Sequence, residues 1–107
     1  MSLIEVVCGN IDKVRKMHDL STRELGARAG MPQKTVHSIL NQTHVPRLDN
    51  IEQICKTLLI APQAVVTPHL PMEMLMSRRV GRLVESYAKL DMEQRDRVDE
   101  LIASFGD

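Results

Sequence analysis

The chain has 107 residues, enough for one domain or for one domain with a short appendage. With 43% apolar residues, 26% charged residues and no tryptophan, the composition indicates a globular protein with an aliphatic core and excludes a disordered chain. The apolar stretches are too short to cross a bilayer, and the first ten residues lack the pattern of a secretory signal. We therefore expect a cytoplasmic protein with no membrane partner.

The formal net charge is zero, but the charges are unevenly distributed along the chain. Residues 13–47 carry seven basic and two acidic side chains, a local charge of +5. Residues 61–107 carry six basic and eight acidic side chains, a charge of −2. A basic segment followed by an acidic one indicates that the first part contacts an anionic polymer. A mixed-charge surface in contact with solvent alone is the alternative.

Capping residues delimit the first two predicted helices. Apolar residues at three- and four-residue steps predict an amphipathic first helix, which begins either close to the N-terminus or at Asn10 as its N-cap. Ser21 and Glu24 have the spacing of a capping box and open a second helix over 22–29. Gly30 ends this helix because a residue without a Cβ adopts the left-handed conformation easily.

Prolines and apolar periodicity place the next elements. A third helix begins at Pro32 or Gln33 and ends at Leu40 or Asn41, since proline is tolerated at a helix start. A polar loop follows, and a fourth helix then carries an apolar stripe from Leu48 to Leu58. A short fifth helix starts at Ala61-Pro62. The two prolines in residues 67–71 indicate a linker.

Two further helices are predicted after the linker. One runs from Met72 to about Lys89, and the other begins with a capping box at Asp91 and Gln94 and continues to Phe105. No segment alternates with a period of two over more than a few residues. The fold class is therefore predicted to be all-α.

The second and third helices have the spacing of a helix-turn-helix. Gly26 lies where the two helices cross most closely, and Gly30 supplies the turn. The segment STRELGARAGMPQKTVHSIL resembles the DNA-binding domain of the lambda-repressor-like (Xre, Cro/repressor-type) family, and the resemblance covers about residues 10 to 66. It departs from the family at Pro32, where a Ser or Thr cap is usual.

The resemblance implies a five-helix DNA-binding domain over residues 1–67, a linker over 68–71 and a C-terminal helical pair over 72–107. The third helix would enter the major groove of a double-stranded operator. The residues implied to contact bases are Gln33, Lys34, Ser38, His37 and Asn41. The residues implied to contact phosphates are Thr22, Thr43, His44, Arg47, Arg15 and Lys16. Exposure to solvent without a DNA contact is the alternative for each of them.

The C-terminal pair is too small to form a core of its own. Its apolar face must be buried against the first domain, against a second copy of the chain, or against both. The resemblance to short repressors implies a homodimer. The residues assigned to the dimerisation face are Leu75, Val80, Leu83, Val84, Tyr87, Val98, Leu101, Ile102 and Phe105.

The sequence contains no glycine-rich phosphate loop, and its histidines and two cysteines lack metal-ligand spacing. We therefore expect no cofactor, no metal and no enzymatic activity. The leading hypothesis is a prokaryotic or phage transcriptional regulator, acting as a homodimeric repressor on a palindromic operator. The alternatives are an antitoxin that regulates its own operon, and a protein-interaction module that has lost DNA binding. A protein partner such as a toxin or an antirepressor would fit the first of these alternatives.

Overall fold

The computed structural model describes residues 1–106, which form eight helices and no strand. The all-α prediction is therefore confirmed. None of these helices combines the length and the apolar character that crossing a lipid bilayer requires. In chain order the helices are α1 (Leu3–Met17), α2 (Thr22–Ala29), α3 (Gln33–Leu40), α4 (Leu48–Leu58), α5 (Pro62–Val65), α6 (Met72–Leu75), α7 (Arg79–Ala88) and α8 (Met92–Gly106).

Helix α1 begins at the N-terminus, so Asn10 is not its N-cap. Ser2 caps the helix, and its hydroxyl accepts a hydrogen bond from the backbone N–H of Glu5 at 3.2 Å. Asn10 lies within the helix and is only 4% exposed. Its amide donates to the carbonyl oxygens of Val65 at 2.8 Å and Thr67 at 3.1 Å. The residue therefore joins α1 to the end of α5.

The turn between α2 and α3 has the predicted local geometry. Ser21 and Glu24 form both hydrogen bonds of the capping box, each 3.0 Å long. Gly30 ends α2 in the left-handed conformation, with φ at 70°. A Cβ on Gly26 would lie 2.7 Å from the carbonyl oxygen of Met31, so only glycine permits this close crossing of the two helices.

The single helix predicted over 72–89 is divided into α6 and α7. Ser77 lies at the break, where its hydroxyl donates to the carbonyl oxygen of Met74 at 3.3 Å and accepts from the backbone N–H of Arg79 at 3.2 Å. A serine that bonds nearby backbone in this way competes with continuation of the helix. The break lets α6 and α7 turn separately onto the core.

Two residues assigned to the dimerisation face lie in the chain's own core. Leu75 is fully buried and Val80 is 9% exposed, and both belong to the apolar cluster that α1 to α5 form. Their assignment to an interface is therefore corrected, because neither side chain is free to meet a second copy. Tyr87 and Val98 are half-buried. The assigned residues that stay exposed are Leu83, Val84, Leu101, Ile102 and Phe105.

Candidate nucleic-acid interface

Helix α3 has one buried face and one exposed edge. Val36 is fully buried and Ile39 is 3% exposed, so both anchor the helix on the core. Gln33, Lys34 and His37 are exposed at its outer edge. This edge can therefore project into a groove without breaking a packing contact.

Gln33 at the start of α3 contacts Thr22 at the start of α2. The side-chain amide nitrogen of Gln33 donates to the hydroxyl oxygen of Thr22 at 3.3 Å. Sequence reasoning assigned these two residues to a base contact and a phosphate contact, and the structure places them side by side. The second amide hydrogen and the amide oxygen of Gln33 stay available.

Ser38 is bonded to the loop that follows α3. Its hydroxyl oxygen lies 2.8 Å from the hydroxyl oxygen of Thr43 and 3.0 Å from Nδ1 of His44. The hydroxyl of Thr43 lies 3.3 Å from the same ring nitrogen. These three residues form one network that fixes the loop against the helix. Sequence reasoning assigned Ser38 to base contact and did not detect this network.

Asn41 and Arg47 also have partners within the chain. The amide of Asn41 donates to the carbonyl oxygen of His37 at 3.0 Å, one turn back in α3. Arg47 forms an ion pair with Asp49 at 3.1 Å, and both side chains are well exposed. An exposed ion pair of this kind contributes little to stability, so Arg47 can exchange Asp49 for a phosphate at small cost.

Helix α3 and the following loop form a shallow concave surface, and the depression has a volume of about 390 Å³. Val45 lines it and is 81% exposed, although sequence reasoning gave it no role. The sequence could have indicated Val45 as a contact residue, because it is an apolar residue in an otherwise polar loop. The predicted contact residues that line this surface are Lys34, His37, Ser38, Thr43, His44 and Arg47.

Comparison with models of protein families assigns the sequence of this chain to one family. The model for the Cro/C1-type HTH DNA-binding domain matches residues 10–65, more than half of the chain. The chain belongs to this family. The match spans α2, α3 and the concave surface between α3 and the loop. The chain is thus a DNA-binding regulator of the Cro/C1 type, which confirms the resemblance. Searches of curated proteins and of solved structures found no match.

One predicted phosphate contact of the Cro/C1-type domain has a structural role. The guanidinium of Arg15 donates to Asp12 at 2.7 and 3.0 Å and to the carbonyl oxygen of Leu20 at 2.7 Å. Its side chain is only 16% exposed. Arg15 therefore holds the turn between α1 and α2, and little of its side chain is left exposed for a phosphate contact. Lys16 also pairs with Asp12, at 2.9 Å, but stays exposed.

These two cations change the pKa of the Asp12 carboxyl group. Burial by itself raises the pKa of Asp12, but the hydrogen bonds and charges of Lys16 and Arg15 outweigh this effect, and the pKa is lowered overall. Asp12 is therefore ionised at neutral pH.

The cysteines of the Cro/C1-type chain are both free and buried. Burial raises the pKa of the Cys55 thiol to about 11 and also raises that of Cys8, so neither forms a reactive thiolate at neutral pH. Within residues 1–106, no three His, Cys, Asp or Glu side chains are close enough together to hold a metal ion.

Proposed function

We propose that the chain is a sequence-specific regulator that binds double-stranded DNA as a homodimer and represses transcription from a palindromic operator. The main observation that supports this proposal is the exposed edge of α3. It carries Gln33, Lys34 and His37, and the opposite face of the helix is buried. An α-helix fits the major groove, where each base pair presents a distinct pattern of donors and acceptors.

Gln33 is proposed to read an adenine. Glutamine pairs with adenine through two hydrogen bonds, in which its oxygen accepts from N6 and its nitrogen donates to N7. The bond to Thr22 uses only one amide hydrogen, so both groups needed for adenine stay available. The bond also restricts rotation of the side chain, which lowers the entropy lost on binding. The N-terminal backbone N–H groups of α2 and the hydroxyl of Thr22 are proposed to bind a phosphate.

Lys34 is proposed to donate to a guanine and His37 to contact the next base pair. Ser38 is proposed to position the loop rather than to read a base, because its hydroxyl already bonds Thr43 and His44. When Nδ1 of a neutral His44 accepts from a hydroxyl, Nε2 carries the hydrogen and can donate it to a phosphate.

Val45 is proposed to make an apolar contact with a thymine methyl group or a sugar, because it is exposed among residues assigned to DNA. Arg47 and Lys16 are proposed to contact phosphates, since the side chains of both cations are exposed.

The homodimer is proposed to form through α7 and α8. Each helix exposes apolar side chains that α1 to α5 do not cover: Leu83 and Val84 are 53% and 51% exposed, and Phe105 is 81% exposed. Two copies would place two α3 helices on one face of the duplex, about 34 Å apart. Occupation of such a site would exclude polymerase from a promoter.

Selection of bound sites from a pool of random duplexes tests this function. We expect a two-fold symmetric sequence with half-sites one helical turn apart. The Lys34→Ala variant should lose discrimination at one position of each half-site, by about 1–3 kcal/mol. The matched Lys13→Ala variant, which changes a cation on α1, should preserve the preference. Binding that is equally weak for all sequences and insensitive to salt would refute the proposal.

An antitoxin is the second candidate, favoured by the same exposed apolar side chains on α8. In that case a different protein would cover them. Sedimentation of the isolated chain separates the candidates, because a homodimeric repressor associates without a partner.

A further inference from the structure

We infer that a groove between the DNA-binding domain and α7 binds a small organic anion with an apolar group. The groove, here the effector groove, is bounded by Lys56 and Leu59 at the end of α4, by Arg78 directly before α7, and by Gly81 and Arg82 on α7. Its volume is about 660 Å³. Sites for small molecules enclose about 300–1,000 Å³ and often lie between two structural units.

The charges of the effector groove favour an anion. Lys56, Arg78 and Arg82 line it against a single acidic residue, Glu85. Neither arginine has a carboxylate within 4.0 Å among residues 1–106, and Lys56 pairs only with Glu52 in an exposed contact. Two unpaired guanidinium groups one helical turn apart can hold a carboxylate or phosphate with charge-assisted hydrogen bonds.

Leu59 at the rim favours a ligand with an apolar part. It has a left-handed backbone, with φ at 60°, and its side chain is 79% exposed. Leucine is disfavoured in this conformation because its Cβ approaches the following carbonyl oxygen. Exposure of this apolar side chain to water also raises the free energy of the folded chain. An apolar group that covers Leu59 would remove this contribution.

The position of the effector groove connects a ligand to both parts of the chain. Gly81 brings α7 into contact with α5, since a Cβ at this position would lie 3.1 Å from the side-chain oxygen of Gln63. An anion that joins Arg78 and Arg82 to Lys56 would fix this contact. Since α7 also carries Leu83 and Val84, the ligand would change DNA affinity through the dimer; this consequence rests on the proposed function, whereas binding itself does not.

Benzoate is the probe, with benzyl alcohol as its uncharged counterpart, titrated into DNA-free protein while amide resonances are recorded by NMR. We expect saturable benzoate shifts at Gly81 and its neighbours in the effector groove. Benzyl alcohol should bind about tenfold more weakly, because it lacks the charge-assisted bonds. Absence of saturable benzoate shifts at about 10 mM, or equal binding of the two compounds, would overturn the inference.

Substitutions test whether benzoate binds in the effector groove. Arg78→Gln with Arg82→Gln should weaken benzoate binding about tenfold, and Leu59→Gly should weaken it about threefold. Arg23→Gln with Arg28→Gln removes the same charge from α2 and should leave binding unchanged. Equal loss in both double variants would instead indicate general attraction to a cationic protein. Because DNA is absent, the result does not depend on whether α3 reads an operator.

Discussion

The amide of Asn10 is the only polar side chain in the core of residues 1–106. It donates to the carbonyl oxygens of Val65 and Thr67, and it lies 3.5 Å from that of Ala64. The carbonyl oxygen of Ala64 also accepts from the backbone N–H of Thr67 at 3.1 Å, whereas those of Val65 and Thr67 have no other donor among residues 1–106. Asn10→Ala leaves them buried without a donor, so we expect the free energy of unfolding to fall by about 1–3 kcal/mol. Urea denaturation measures this change.

Asn41→Ala is the matched control for Asn10→Ala. The amide of Asn41 also donates to a backbone carbonyl, that of His37, but the residue is exposed. Water can replace its bond, and the change should stay within about 0.5 kcal/mol. Equal destabilisation by the two variants would show that burial of the Asn10 amide is unimportant.

The ion pairs of Asp12 predict how stability depends on pH. Its pKa is lowered from 3.8 in the folded chain, so its contribution is complete above pH 3.8 and is lost as the pH falls through the folded value. Asp12→Asn should lower the free energy of unfolding at pH 7 by about 1 kcal/mol, because the pairs are partly exposed. The difference from the native chain should shrink as the pH falls through the lowered pKa of Asp12, and it should vanish once the native carboxyl group is protonated. A difference that persists there would mean that packing, not charge, accounts for the effect.

At the scale of the element, a substitution in α3 tests whether Ser38 positions the following loop or contacts a base. Ser38→Ala removes the bonds to Thr43 and His44. We expect weaker binding to every operator variant by a similar factor, about threefold to tenfold, because the loop loses its fixed position. Titration of a panel of duplexes with single base-pair changes measures this. A loss confined to one base position would instead make Ser38 a base contact.

Local signals made most elements predictable from the sequence. Helix α2 is delimited by the capping box at Ser21 and Glu24 and by the left-handed Gly30. Each of these acts within one turn of chain, so the ends of α2 do not depend on its tertiary contacts. The capping box at Asp91 likewise forms, with hydrogen bonds of 2.8 and 3.0 Å to Gln94. The sequence left open whether Asn10 caps α1, because its partners lie more than 50 residues away, which no local pattern records.

The break between α6 and α7 was missed for a related reason. The apolar positions from Met72 to Tyr87 fit one continuous helix, and the hydroxyl of Ser77 supplies only a weak local preference for a break. Leu75, which precedes the break, is buried in the core, and a local pattern does not record this tertiary contact. In the interface, residue types predicted which side chains face outward on α3, but not that Ser38 and Arg15 already have partners within the chain.

At the scale of the whole molecule, the chain is extended rather than spherical. It measures 49 × 25 × 24 Å with a radius of gyration of 16.2 Å, against about 13 Å for a compact domain of this size. Helix α8 contributes to this shape because none of residues 92–106 is buried. Tyr87 donates to Asp99 at 2.8 Å and Arg95 bonds the carbonyl oxygen of Ala88 at 2.7 Å, and these bonds fix the joint between α7 and α8.

A helix with an uncovered apolar stripe gains stability when a second copy covers it. We therefore expect Leu101→Ser with Phe105→Ser to convert a dimer into a monomer in sedimentation equilibrium. The core should stay folded, because both side chains are exposed and contribute nothing to it. Operator affinity should fall at least about a hundredfold, since each half-site must then be bound separately. Met92→Ser removes an exposed apolar side chain at the other end of α8 and should preserve the dimer. A double variant that sediments as a dimer would place the interface elsewhere in the chain.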